Sequence, residues 1–131
     1  AVSGVDQTSF SNASDGVLVR LSFRPDPVCS GGPVTWVMDV TNDRDEPLEL
    51  TFSTGQSADV ALASDGADVY RWSDEILFTQ ALRTVTLTRG ERFGAVLPGE
   101  LTVAPGDYDI AGWFVANEIR DLTVTGSITV D

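Results

Sequence analysis

The chain has no lysine and no histidine, and only one cysteine and one methionine. Without histidine there is no Ser-His-Asp or Cys-His arrangement for nucleophilic catalysis, and no zinc site of the usual His/Cys type. With Cys29 alone, neither an intrachain disulfide nor a thiolate metal cluster can form. No run approaches the roughly 18 apolar residues that mark a membrane span. The opening residues AVSGVDQTSF lack the basic-then-apolar order of a signal peptide. Positive charge is scarce: all eight basic residues are arginine, against 20 acidic ones, for a formal net charge of −12 at pH 7. Nucleic acid and anionic membrane both require a basic footprint, so neither is an expected partner.

What the chain does have is enough apolar material for a core. Its 131 residues are 42% hydrophobic, which excludes whole-chain disorder and fits one domain. Aspartates outnumber glutamates fourteen to six. Together with the missing lysine, this reads as salt adaptation in a halophilic, archaeal proteome. At molar salt the Debye length falls to about 3 Å, so a crowded carboxylate surface no longer repels itself. The expectation is a cytoplasmic monomer that loses structure when salt is removed.

Residues 1–16, rich in Ser, Gly, Asn and Asp, are expected to form a loose arm or a short edge segment ahead of a single domain over 17–131. From there period-2 alternation takes over. Val17, Val19, Leu21 and Phe23 share one face, as do Val34, Trp36, Met38 and Val40. Leu48, Leu50 and Phe52 follow, then Val60 and Leu62. Asp65-Gly66 marks a tight hairpin into Val69-Tyr70-Arg71-Trp72. Val85 and Leu87 alternate with threonines before the turn Arg89-Gly90-Glu91, and Leu101 and Val103 lead to the turn Pro105-Gly106. Tyr108, Ile110, Gly112 and Phe114 share a face, and so do Leu122, Val124, Gly126, Ile128 and Val130. The stretch PDPVCSGGP reads as a loop. About eight short strands at this spacing predict an all-β, antiparallel β-sandwich. The best helical candidate is a turn or two at Ser73–Leu77, capped by Ser73.

Several residues invite a chemical role. Asp43, Asp45 and Glu46, and again Asp65 with Asp68, offer oxygen ligands at spacings a calcium ion accepts. They fit no EF-hand pattern, and solvated loops of a salt-adapted chain explain them better. Twenty acids guarantee close carboxylate pairs without any acid/base function, so no enzyme, metal or cofactor is expected. Asn12-Ala13-Ser14 fits a glycosylation triplet of the kind that arises by chance. Trp36, Trp72 and Trp113 sit in strand-like runs, where aromatics usually belong to the core. Tyr70 and Trp72 project to one face and form either core or a contact patch.

One interruption asks for its own account. In LTFSTGQSADVAL, the insert Ser53-Thr54-Gly55-Gln56 breaks two apolar runs. Gly55 permits positive φ, and the neighbouring side chains can return hydrogen bonds to backbone unpaired by a bend. One outcome is a crossing from one sheet to the other that leaves Phe52 and Val60 in the same core. The other is an exposed, rigid binding loop.

Phe52-Ser53-Thr54-Gly55-Gln56, Asp65-Gly66, Tyr70-Arg71-Trp72-Ser73, Phe78-Thr79-Gln80-Ala81, Leu87, Gly90-Glu91 and Pro105-Gly106-Asp107-Tyr108 follow in this order. The series resembles the intracellular proteinase inhibitor (BsuPI-type) domain family, from about Val34 to the C-terminus. That resemblance implies an immunoglobulin-like sandwich and a non-enzymatic protein that binds, and inhibits, an intracellular serine proteinase of the subtilisin type. The alternative is an immunoglobulin-like interaction or structural module without inhibitory activity. Candidate partner-binding residues are Ser53, Thr54, Gly55, Gln56, Tyr70, Trp72, Phe78, Thr79 and Gln80. Contact would be made by a substrate-like loop, 53–56 or 76–81, or by pairing of an edge strand.

Overall fold

Alternation decides the sheets. The structure, a computed structural model, describes residues 9–25 and 28–131. One four-stranded sheet runs in the order β1 (Ser9–Ser14), β2 (Val17–Arg24), β3 (Pro33–Asn42), β8 (Arg92–Glu100). The second runs β10 (Val124–Val130), β9 (Gly106–Phe114), β5 (Ala58–Ser64), β6 (Ala67–Arg71). A ribbon of β4 (Leu48–Phe52) and β7 (Arg83–Leu87) completes the set. All of these pairings are antiparallel. Among the described residues the strands number ten, not about eight, and no helix is long and apolar enough to cross a membrane.

The alternating positions face one shared core. Val19, Leu21, Trp36, Met38, Leu50, Phe52, Val60, Leu62, Phe114 and Val124 are fully enclosed in it. Each such side chain contributes about 1.5–3 kcal/mol of burial. Where β9 crosses beneath β2 and β3 the layers close up. A Cβ added at Gly112 would come 3.0 Å from Leu21 Cδ2 and 3.1 Å from Met38 Sδ, so any larger residue would make those side chains give way.

The open sides are sealed by aromatic rings. Phe10 of β1 lies over Gly126 of β10, in the space a side chain at that position would need. Asn12 donates from Nδ2 to the Thr123 carbonyl at 2.9 Å on the same side. On the opposite side Trp36 Nε1 donates to the Tyr70 hydroxyl at 3.1 Å. At one end Val28 bridges Val130, and Gly31 and Gly32 exchange backbone hydrogen bonds with Leu101.

The two additional strands have specific origins. Asp15-Gly16, with φ of 53° and 78°, is a hairpin turn of the same kind as Asp65-Gly66, with 54° and 83°. Of the loose arm and the short edge segment expected over 1–16, the described part takes the second form: residues 9–14 are the edge strand β1, while residues 1–8 lie outside the described ones, as do residues 26 and 27 of the Pro/Gly loop. The second addition is β8, whose sequence RFGAVLPGE does not alternate cleanly. Pairing with β3 on one side only lets an edge strand tolerate Pro98. Residues 101–103 then follow as irregular chain with Leu101 and Val103 buried.

The helical candidate contracts to a 3-10 turn, Trp72–Glu75, with no side-chain cap. Ser73 is engaged elsewhere. Of the tryptophans only Trp36 is fully buried. Trp113 lies on the outer face of β9, beneath the Arg71 guanidinium at 5.2 Å, because Gly112 and Phe114 occupy the inward positions.

Candidate protein-binding loops

The Ser53–Gln56 insert leaves β4, which pairs with β7, and delivers the chain to β5, which pairs with β6 and β9. Phe52 and Val60 are both fully buried on its two sides. It is a crossing between sheets, with Ser53 and Gly55 exposed and Thr54 and Gln56 half-buried. Gly55 does not use the positive φ open to a glycine. Glycine is needed for a close approach instead. A Cβ there would sit 2.7 Å from Thr79 Oγ1, and the Gly55 amide donates to the Thr79 carbonyl at 2.9 Å.

The side chains of the insert fold back on it. Thr54 Oγ1 accepts from the Gln56 amide at 3.1 Å, and Gln56 Nε2 donates to the Ala58 carbonyl at 3.2 Å. Arg83, the first residue of β7, holds the whole turn. Its Nε donates to the Thr54 carbonyl at 3.2 Å, and its Nη2 to the Gln56 carbonyl and Ser57 Oγ, each at 3.1 Å. The same guanidinium stacks 4.8 Å above the Phe52 ring. A planar fork is suited to spanning several carbonyls at once, as an ammonium is not.

Beside this turn runs the irregular segment 76–82, sequence ILFTQAL, which carries no charged residue. Leu77 is 99% exposed and Leu82 76%. Thr79, Gln80 and Ala81 are exposed as well. The flanks are held. Phe78 packs against Trp72 with ring centroids 5.8 Å apart, and Trp72 Nε1 donates to the Pro98 carbonyl at 3.1 Å.

Ahead of the segment, Asp59 anchors the 3-10 turn. This buried carboxylate on β5 accepts the Ser73 hydroxyl at 2.6 Å, the Ser73 amide at 3.2 Å and the Val60 amide at 2.9 Å. Three donors offset the cost of burying the group.

Tyr70 and Trp72 are half-buried and line a surface groove of about 550 Å³ with Pro98, Gly99 and Ile76. Burial pushes the Tyr70 phenol pKa upward against the lowering effect of the Trp36 hydrogen bond, and the negative charge of Asp59 adds to the rise. The phenol is therefore neutral. It serves as an acceptor that ties β6 to the core.

Contacts or a shared groove link several of the nine candidate residues to one another. Gly55 meets Thr79 and Trp72 meets Phe78, so the FSTGQ and FTQA motifs are structurally one unit. Gln80 and Ser53 are exposed without joining these contacts. Sequence reasoning missed Arg83 and Asp59. One signal was available for each: a cation directly after a long uncharged run, and a lone carboxylate inside the apolar run ADVAL. The acidic loops take other partners, since Asp45 pairs with Arg89 at 2.7 Å and Asp68 with Arg71 at 2.9 Å. Among the described residues no group of three acidic or sulfur ligands gathers for a metal.

An antiparallel all-β framework that holds an exposed apolar loop from several directions defines a scaffold-and-loop protein. Residues 21–119, well over half of the chain, match the family model described as intracellular proteinase inhibitor, BsuPI. The chain belongs to that family. No curated protein sequence matches it.

Proposed function

We propose that this chain inhibits a serine proteinase of the subtilisin type as a folded, cofactor-free monomer, with segment 76–82 lying in the proteinase cleft. The observation that carries this reading is the combination of exposure and restraint in that segment. Leu77 and Leu82 stand in solvent, while Trp72 packs on the Phe78 ring, the Gly55 amide holds the Thr79 carbonyl, and Arg83 fixes the adjoining 53–57 turn. Restraint before binding reduces the ordering cost of association, and so favours affinity. The 53–56 turn then acts as the buttress, with Gly55, Thr54 and Gln56 shaping it.

Edge-strand pairing is the weaker mechanism. β6 has five residues and a register shift opposite Leu62 and Ala63, and β8 carries Pro98 on its edge. Short, bulged or proline-bearing edges disfavour strand addition. The paired four-stranded sheets support the immunoglobulin-like reading. The net charge of −12 supports salt adaptation.

The test incubates purified protein with a subtilisin-type proteinase in molar and in millimolar salt, and follows residual peptidase activity and complex formation by gel filtration. Inhibition with a one-to-one complex is expected at high salt. Full activity at micromolar excess with no complex would leave an interaction module without inhibitory function.

A further inference from the structure

We infer that Leu77 is the side chain that enters the primary specificity pocket, so that the target class is serine endopeptidases with a deep apolar pocket. The inference rests on the inhibitory reading above and goes further by naming the residue, the pocket chemistry and the bond presented to the catalytic serine. A lone exposed leucine is ordinary on a protein surface. The setting of Leu77 is not ordinary, because the chain is fastened on each side of it.

On the amino side Ile76 has φ −114° and ψ 132°, the extended backbone a substrate adopts in a cleft, and its amide donates to the Ser73 carbonyl at 3.2 Å. Ser73 is in turn bound twice by the buried Asp59. On the carboxyl side Phe78 packs on Trp72, and the Thr79 carbonyl accepts the Gly55 amide at 2.9 Å. The Leu77 side chain, at 99% exposure, projects free of all these ties. Leu82 is the rival, but the residue after it is Arg83, already committed to the 53–57 turn. The absence of charge over 76–82 in so acidic a chain suits insertion into an apolar pocket.

This arrangement has a chemical consequence. The serine oxygen of the proteinase attacks the Leu77 carbonyl carbon and forms an ester, and the Phe78 nitrogen leaves carrying the proton the serine gave up. In a substrate the amine diffuses away and water completes hydrolysis. Here Phe78 stays beside the ester because Trp72 packs on its ring and Gly55 holds the next residue, Thr79. The amine therefore re-attacks, restoring the peptide bond and the serine hydroxyl. When water does react, it yields a Leu77 carboxylate and a Phe78 amine on fragments that remain associated through the core.

The experiment compares wild type, Leu77→Asp, Leu77→Arg, Leu82→Asp and Val96→Asp against a subtilisin-type proteinase and a trypsin-type one with an acidic pocket. Val96 is an exposed apolar residue of β8 with no part in the contacts that hold the loop, and controls for added charge. Leu77→Asp is expected to weaken inhibition of the first proteinase by about 30-fold or more, the loss typical of an interface anchor, with unchanged melting. Leu77→Arg is expected to transfer inhibition to the trypsin-type enzyme. Val96→Asp should stay within about threefold of wild type. Mass spectrometry after long incubation should find a single cut after Leu77, the two fragments still co-eluting. If wild type inhibits while Leu77→Asp retains potency, or Leu82→Asp costs more, the inference is overturned and the inhibitory reading stands. If wild type inhibits neither proteinase, both fall together.

Discussion

Gly55 and Thr79, far apart in the chain, meet so closely that the amide of one donates to the carbonyl of the other at 2.9 Å, and a methyl on Gly55 would strike Thr79 Oγ1 at 2.7 Å. The crossing between sheets and the exposed loop are therefore one mechanical unit. The contact predicts a sign change in a double-mutant cycle. Gly55→Ala alone should lower stability by about 1 kcal/mol through crowding. In a Thr79→Ala background the clash is gone and Gly55 is not at positive φ. The same change should then be neutral, or should stabilise by about 0.4–1 kcal/mol through reduced unfolded-chain entropy. Urea titration of the four proteins measures this. Equal effects in both backgrounds would deny the contact.

Arg83 joins the same unit by donating to Thr54, Gln56 and Ser57. Arg83→Met should cost about 1.5–3 kcal/mol, the range for hydrogen bonds to a charged group. Arg83→Lys should recover less than half, because one ammonium cannot span the three acceptors that a guanidinium fork reaches. Hydrogen exchange should show lost protection at the Gly55 amide in both variants. Full recovery by lysine would mean that charge alone matters there.

Ser73 supplies two of the three donors to the Asp59 carboxylate. Ser73→Ala removes the hydroxyl and should cost about 1–3 kcal/mol, since a buried acceptor loses its partner. Asp59→Asn keeps one oxygen for the two amides and should cost less than Asp59→Ala. The order of the three midpoints in denaturant checks the geometry. A Ser73→Ala protein as stable as wild type would show that the turn is held by other contacts.

Glu118 couples the chain after β9 to β4. Its carboxylate accepts the Thr51 amide at 2.7 Å and the Thr51 hydroxyl at 2.9 Å. Burial works to raise its pKa, but the Thr51 hydrogen bonds and its own amide carry it below the ordinary 4.5. A carboxyl whose folded pKa is depressed contributes stability above the unfolded value, and that contribution disappears as pH falls through the folded one. The stability difference between wild type and Glu118→Gln should therefore be constant near neutrality and shrink below about pH 4.5. The group is mostly exposed, so the effect is modest and weaker in high salt. A difference that grows on acidification would reverse the assigned sign.

Legibility from sequence varied with the reach of the interaction involved. The buried faces of β2, β3 and β10 were plain, because each strand reports its own burial through alternation. The Asp65-Gly66 turn was equally local. Asp15-Gly16 carries the same signal, yet the polar strand SFSNAS before it has no apolar rhythm. β1 exists because β2 offers an unpaired edge and Gly126 leaves room for Phe10. β8 was hidden for a similar reason, its glycines and proline being tolerable only on the edge beside β3.

The amino-acid sequence by itself determined the all-β class, the composition of the core, the exclusion of histidine chemistry and the family. Period, charge and residue type are properties of short stretches, and they survive without coordinates. Only the tertiary structure decided that Gly55 is glycine because of Thr79, that Arg83 holds the turn through three acceptors, and that Leu77 stands free between two fastened neighbours. Those are distances between residues that no local pattern relates, set by how the ribbon and the second sheet converge at one end of the fold.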